Sequence, residues 1–179
     1  MKLELIMWFS YVTTFSYTNE YYLKQYGLDG KLKWAMAGRS QSKLEKVRNE
    51  LGNKDIPLLV ADSHDRASLD ALVSSTSVIC TTVGPYAWYG DELVASCVAH
   101  GTDYCDLAGE TQWIRRMIDS HHEEAQKTGA RIVHCCGFDS IPSDLGVHYL
   151  QQQCHERKGE YAQHIKVRLK SAKGGLSGG

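Results

Sequence analysis

Arg39, Ser40 and Lys43 follow directly on the apolar run "KWAMAG" and open the basic, amphipathic segment "SKLEKVRNELG". These three residue types together can hold a phosphate. An Arg guanidinium offers a fork of donors that matches two phosphate oxygens, Ser adds a hydroxyl, and Lys adds a point charge one turn into a helix. The start of that helix contributes its positive end and its unbonded N–H groups. In a dinucleotide-binding sheet the carboxyl end of the second strand meets the adenosine ribose. An acid there accepts a bond from the 2'-hydroxyl of NAD, whereas an Arg accommodates the 2'-phosphate of NADP. The cofactor expected from these residues is NADP (NADPH). The plainer alternative is a surface Arg beside a Ser that only caps a helix.

Other polar or Gly-rich stretches follow apolar runs in the same way: "ADSHD", "GPYAWYG", "DLAGE" and "GFDSIPSD". Asp62 could bond the adenine edge or cap the next helix. Gly84 lets backbone approach a ligand closely and Pro85 fixes the turn, although a purely structural turn would use the same pair. Asp106 and Glu110 put two carboxylates near one strand end, on the substrate or nicotinamide side; Glu110 could instead serve as a first-turn acid. Gly137, Asp139, Ser140 and Asp144 precede a helix, either as a cap cluster or as a lining of the site. Asp139 is the candidate polar group at the reacting centre, and no general acid stands out. The six cysteines include no C-x-x-C pair and several lie in apolar runs such as "SVICTTV", which predicts buried free thiols in a reducing compartment. Cys135 or Cys136 as a nucleophile lacks a paired base. His121 and His122 read as a solvated helix face, and no zinc spacing occurs, so no metal is expected.

These residues need elements to position them. From residue 31 the chain alternates between strand-like and helix-like segments. Strands are predicted at "KLKWAMAG", "IPLLVAD", "TSVICTTVG", "TDYCDLAG" and "ARIVHCCG". Helices are predicted at "SKLEKVRNELG", "DRASLDALVSS", "GDELVASCVAHG", "ETQWIRRMIDSHHEEAQKTG" and "SDLGVHYLQQQC". In the longest helix Trp113, Ile114, Met117 and Ile118 are expected to face inward. Such alternation means parallel βαβ units in an α/β, doubly wound sheet, whose ligands bind beyond the carboxyl ends of the strands. "HIKVRLKSAKGGLSGG" reads as the first strand of a second, incomplete unit, giving a Rossmann-like domain over 1–158 and a fragment over 159–179. The composition is that of a soluble globular protein, 42% hydrophobic and 23% charged, with a formal net charge of -1. That balance gives no field to attract nucleic acid. The N-terminal "MKLELIMWFSYVTTFSY" lacks a small-x-small cleavage site and falls short of the roughly 20 apolar residues a membrane helix needs. An intracellular, cytoplasmic location is expected.

The segments "LKWAMAGRSQSKLEKV", "VGPYAWYGDELVASCVAHGTDYCDLAGE" and "ARIVHCCGFDSIPSDLG" closely resemble the saccharopine dehydrogenase-like oxidoreductases, in the branch that includes the trans-acting enoyl reductases. The likeness runs over about residues 31 to 179. It implies a Rossmann-type NADP-binding enzyme with a second α+β domain, hydride transfer to a C=C, C=O or C=N group, and a lipid-like small-molecule substrate. It also implies possible peripheral association with lipid droplets or membranes. The chain departs from the family in one respect. Members open with a strand and a G-A-T/S-G-F/Y-T-G loop that cradles the pyrophosphate. Here "YVTTFSYTNEYYLKQYG" stands in its place, with Tyr11, Thr14 and Tyr17, or Thr13, Ser16 and Asn19, at the glycine positions. A damaged pyrophosphate site is therefore expected, from a replaced first coding segment rather than gradual divergence. The competing expectation is a catalytically inactive fragment or degenerate paralogue that serves as an interaction module.

Overall fold

A computed structural model of the chain describes residues 3–9, 12–28, 30, 32–168 and 170, with residues 9 and 12–18 described by their backbone alone. The strands are β1 (Leu3–Phe9), β2 (Trp34–Gly38), β3 (Leu58–Val60), β4 (Thr76–Thr81), β5 (Asp103–Asp106) and β6 (Ile132–Val133). They form a parallel sheet of order β3-β2-β1-β4-β5-β6. This is the doubly wound order, with its reversal between β1 and β4. The helices are α1 (Val12–Tyr26), α2 (Gln41–Glu50), α3 (Arg66–Ser74), α4 (Tyr86–Tyr89), α5 (Asp91–His100), α6 (Thr111–Thr128) and α7 (Ile141–Lys158).

The atypical N-terminal run does enter the sheet, at its centre. After the exposed Glu4, "LIMWF" is apolar at successive positions, as a strand covered on both faces requires. Ile6 and Met7 have no exposed surface, and Trp8 is buried with them. Side chains alternate across a strand, so the core divides in two. Ile6, Trp8, Ala35, Ala37 and Ile79 pack with α3, α5 and α6 residues such as Leu69, Val94 and Trp113. Leu5, Met7, Trp34 and Met36 pack with Leu44 and Val47 of α2 and Tyr22 and Leu23 of α1. Burying a residue the size of Leu or Met in this way contributes about 2 kcal/mol.

Four expectations need correction. Ile118 is 41% exposed: α6 buries the Trp113–Met117 stripe, four residues apart, and a 100° step carries residue 118 off that stripe. With His121 and Ala125 it lines a hollow of about 190 Å³ beside β6, so His121 is not fully solvated. The strand expected after residue 160 is not formed. Residues 164–168 have no regular structure, and a strand needs a neighbour to take up its ladder bonds. Of the thiols, only Cys97 is fully buried; Cys136 is exposed and the other four are partly so. Helix α7 forms as expected, yet none of its residues is buried.

Candidate functional site

The strand ends expected to carry chemistry do gather along one edge of the sheet. Gly38 ends β2 in register with Phe9 of β1. Its carbonyl accepts the Ala61 N–H from the β3 side at 3.2 Å. Arg39 therefore leaves the sheet between the ends of β1 and β3. Across β1, the Thr82 N–H donates to the Trp8 carbonyl at 3.1 Å, which fixes the start of the loop leading to Gly84. Arg39 and Gly84 thus flank the carboxyl end of the central strand, two strands apart.

Arg39 and Lys43 are both exposed, and among the described residues no hydrogen bond or ion pair engages either side-chain charge. Ser40 is the N-cap of α2: its backbone is extended, and its Oγ accepts the Lys43 N–H at 3.4 Å. The cap reading of Ser40 is thereby realised. A second hydroxyl contact, to Ser42 Oγ at 3.1 Å, leaves two hydroxyls and two free cations around the start of one helix. That combination fits an anionic ligand, since the donors of the first helical turn have no intrahelical partners.

Asp62 does not cap α3. Asp65 does, accepting the N–H groups of Ala67 and Ser68. Asp62 folds the loop instead: its Oδ1 accepts the His64 N–H at 3.0 Å and its own N–H donates to Ser68 Oγ at 3.0 Å. The His64 ring lies 5.5 Å from that of Tyr89, so the loop after β3 reaches α4, next to the Gly84–Pro85 turn.

The peptide between Gly84 and Pro85 is cis. A β-carbon added at Gly84 would find its nearest neighbour, the Tyr86 ring, at 3.6 Å, an ordinary contact. Packing within the chain therefore does not demand glycine there. A bare backbone left at the switch point fits the close approach of a ligand.

Glu110 has a different task from the expected one. Its side chain turns toward α4 and accepts the N–H groups of Tyr86 at 2.6 Å and Ala87 at 2.9 Å, clamping the residues after Pro85. Tyr86 completes the joint: its hydroxyl donates to the Thr81 carbonyl and accepts the Leu107 N–H, both at 3.3 Å. Burial pushes the Tyr86 hydroxyl well above its ordinary pKa. The Tyr86 ring packs on Trp113, whose Nε1 donates to Asp91 at 2.7 Å.

Asp106 is also corrected. It is 1% exposed and its carboxylate is consumed internally. Oδ1 accepts the N–H groups of Ala108 and Cys135 at 3.0 and 3.1 Å, and Oδ2 accepts the Tyr104 hydroxyl at 3.0 Å. His134 Nδ1 stands 2.6 Å from Oδ2. Asp106 is an organiser beneath the site rather than part of its lining. Burial first, and the Asp106 charge second, raise the Tyr104 hydroxyl well above its usual pKa. Cys135 holds a positive φ of 61°, costly for a residue with a β-carbon, and its N–H bond to Asp106 helps hold it there.

Gly137 serves packing. A β-carbon there would fall 2.8 Å from Leu107 Cβ, so the close approach of residues 137 and 107 needs residue 137 bare. Asp139 is exposed, as are Asp144 and the adjoining Phe138, while Ser140 is partly covered and is the N-cap of α7. The structure thus knits Gly84, Pro85, Asp106, Glu110 and Gly137 into one framework, with Arg39, Ser40 and Lys43 across β1 from it and Asp139 on its rim.

The loop expected to have lost its glycines lies partly outside the described residues, at Ser10 and Tyr11. Positions 13, 14, 16, 17 and 19 lie within α1. They need no positive φ, so the backbone cost expected there does not arise; Asn19 is fully buried. Among the described residues no group of three or more His, Cys, Asp or Glu could hold a metal ion. No helix among them is long and apolar enough to cross a membrane. His134, Trp113 and Tyr86 were missed as site residues because their partners lie 21 to 28 residues away along the chain.

Residues 17–133 match the saccharopine dehydrogenase NADP binding domain, and the matched span starts inside α1. The chain is 47% identical over 154 residues to the trans-acting enoyl reductase of Mycobacterium ulcerans, covering 84% of this chain and 37% of that protein. It is 49% identical over 124 residues to the trans-acting enoyl reductase of Mycobacterium bovis, covering 68% and 30%. It therefore spans well under half the length of these relatives. The apo saccharopine dehydrogenase (L-Glu forming) of Saccharomyces cerevisiae has the same fold, with a TM-score of 0.67 at 14% identity over 86% of this chain and 32% of that one. Sheet order, strand-end site and sequence agree: the chain belongs to the saccharopine dehydrogenase NADP-binding domain family, whose cofactor class is NADP(H).

Proposed function

We propose that this chain is the cofactor-binding part of an NADP-dependent oxidoreductase that transfers hydride to a C=C, C=O or C=N group. The observation that carries the proposal is the pair of unengaged cations, Arg39 and Lys43, at the carboxyl end of β2. NADPH supplies the hydride from its nicotinamide when bound. Arg39 and Lys43 hold the 2'-phosphate, with Ser40 shaping the turn between them. The Asp62 loop borders the adenine, and the bare backbone at Gly84 admits the cofactor's close approach. Glu110 and Tyr86 keep the Gly84–Pro85 turn in place, and Asp106 does the same for the loops after β5 and β6. Asp139, on the rim near Gly137, is the polar group available to the reacting end.

The enoyl reductase name of the relatives favours a C=C substrate, and we propose an acyl compound of lipid metabolism. Exposed Trp88, Leu107 and Phe138, all on loops or short helices following strand ends, would suit its apolar chain. Peripheral contact with a lipid droplet or membrane surface goes with that substrate, and co-flotation of the chain with liposomes tests it. Titration with NADPH and NADH, followed by nicotinamide fluorescence, tests the main reading: micromolar NADPH binding with weaker NADH binding is the expected result. Binding of neither cofactor would favour the inactive interaction module, a reading that the wholly unburied helix α7 also favours.

A further inference from the structure

Cys80 of β4 and Cys105 of β5 are direct register partners. Residues paired in neighbouring strands point to the same face of the sheet. Adjacent strands lie about 4.8 Å apart, inside the span of roughly 4.4 to 6.8 Å over which two α-carbons can carry a disulfide. Cys80 packs beside Val78 and Tyr22 on the face covered by α1. Both residues are partly exposed.

The other cysteines are placed differently. Cys97 is fully buried in the opposite core, and burial pushes its thiol well up. Cys135 donates to the Ala108 carbonyl at 3.1 Å, and Cys136 to the Val133 carbonyl at 3.5 Å. Cys154 lies on α7, away from the sheet.

We propose that Cys80 and Cys105 form a thiol–disulfide redox site, closed by a peroxide and reopened by a dithiol reductant. The neighbouring Cys105 thiol holds Cys80 below its usual pKa, and Cys80, with burial, pushes Cys105 up. Cys80 is therefore the attacking thiolate and Cys105 the resolving thiol. The Cys80 thiolate attacks one oxygen of hydrogen peroxide and the O–O bond breaks. This leaves a sulfenic acid on Cys80 and a hydroxide, which takes up the proton that Cys80 had released. Cys105 then attacks the Cys80 sulfur, and its proton leaves with the sulfenic oxygen as water. Two thiols and one peroxide give one disulfide and two waters, with two electrons passing from sulfur to oxygen.

The disulfide would draw together the ends of β4 and β5. Two residues beyond Cys80, Thr82 bonds to β1; four beyond it lies Gly84; directly after Cys105 comes Asp106. Closure is therefore expected to weaken NADPH binding, a consequence that rests on the proposed function, whereas the redox chemistry does not.

The test is a non-reducing peptide map of the whole, folded chain after brief peroxide treatment and alkylation. Chymotrypsin is suitable because Trp88, Tyr89 and Leu93 separate the two cysteines. The expected result is a Cys80–Cys105 cross-linked peptide that dithiothreitol releases and that Cys154→Ser leaves intact. Absence of that cross-link, or a Cys105–Cys136 cross-link in its place, would overturn the proposal. The cross-link itself is read on the unsubstituted chain, with Cys154→Ser as the control, so the test does not depend on a Cys80 or Cys105 variant folding. The NADPH affinity of the reduced chain, measured separately, bears on the functional reading alone.

Discussion

His134 Nδ1 lies 2.6 Å from Asp106 Oδ2, with the carboxylate wholly inside the protein. This pair, joined by the N–H groups of Ala108 and Cys135, ties the ends of β5 and β6 together beneath the carboxyl edge of the sheet. Removing Asp106 would strand several buried donors at once, and an unsatisfied buried polar group costs about 1–3 kcal/mol. Asp106→Ala is therefore expected to destabilise the chain by about 3 kcal/mol or more in urea unfolding. A midpoint within error of the unsubstituted chain would contradict the organising role.

Glu110 reaches across to the Tyr86 and Ala87 N–H groups. In Glu110→Ala these donors turn to water, at a cost of about 1–2 kcal/mol for charge-assisted bonds near the surface. NADPH binding should weaken with the loss of a fixed Gly84 turn, while the preference over NADH stays unchanged. A changed preference would move Glu110 into direct contact with the adenosine end.

Two carboxylates link stability to acid. Asp103 is held below its ordinary pKa first by its hydrogen bond from Arg131, and Asp70 first by its bond from Ser96, then by Arg66. A depressed folded pKa means that the unfolded chain binds the proton more readily. The stabilisation is complete above the ordinary carboxylate value of about 4 and disappears as pH falls through the lower folded values. Thermal midpoints should fall steadily below about pH 4, and less steeply in Asp103→Asn. An equal slope in that variant would remove Asp103 from the account.

The fold was legible where chemistry is local. The largely apolar, β-branched run at β4, the Ser40 cap and the alternation of strands with amphipathic helices all depend on neighbours in sequence. The framework of the site was not legible for the opposite reason. Glu110 looks like a first-turn acid until α4 is known to lie against it, and Asp106 looks like a ligand until His134 and Cys135 close over it. Likewise Cys80 and Cys105 become partners only through the β4–β5 register. Ile118 was misplaced by the breadth of the α6 apolar face, since a helix buries a stripe and not each apolar residue beside it.

The most direct test of the account is the effect of Arg39→Asp on the affinities for NADPH and NADH, measured side by side. Loss of a charge-assisted phosphate contact, about 1.5–3 kcal/mol, predicts a fall in NADPH affinity of roughly 10- to 100-fold with little change for NADH. An equal loss for both cofactors, or none for either, would contradict recognition of the 2'-phosphate by Arg39.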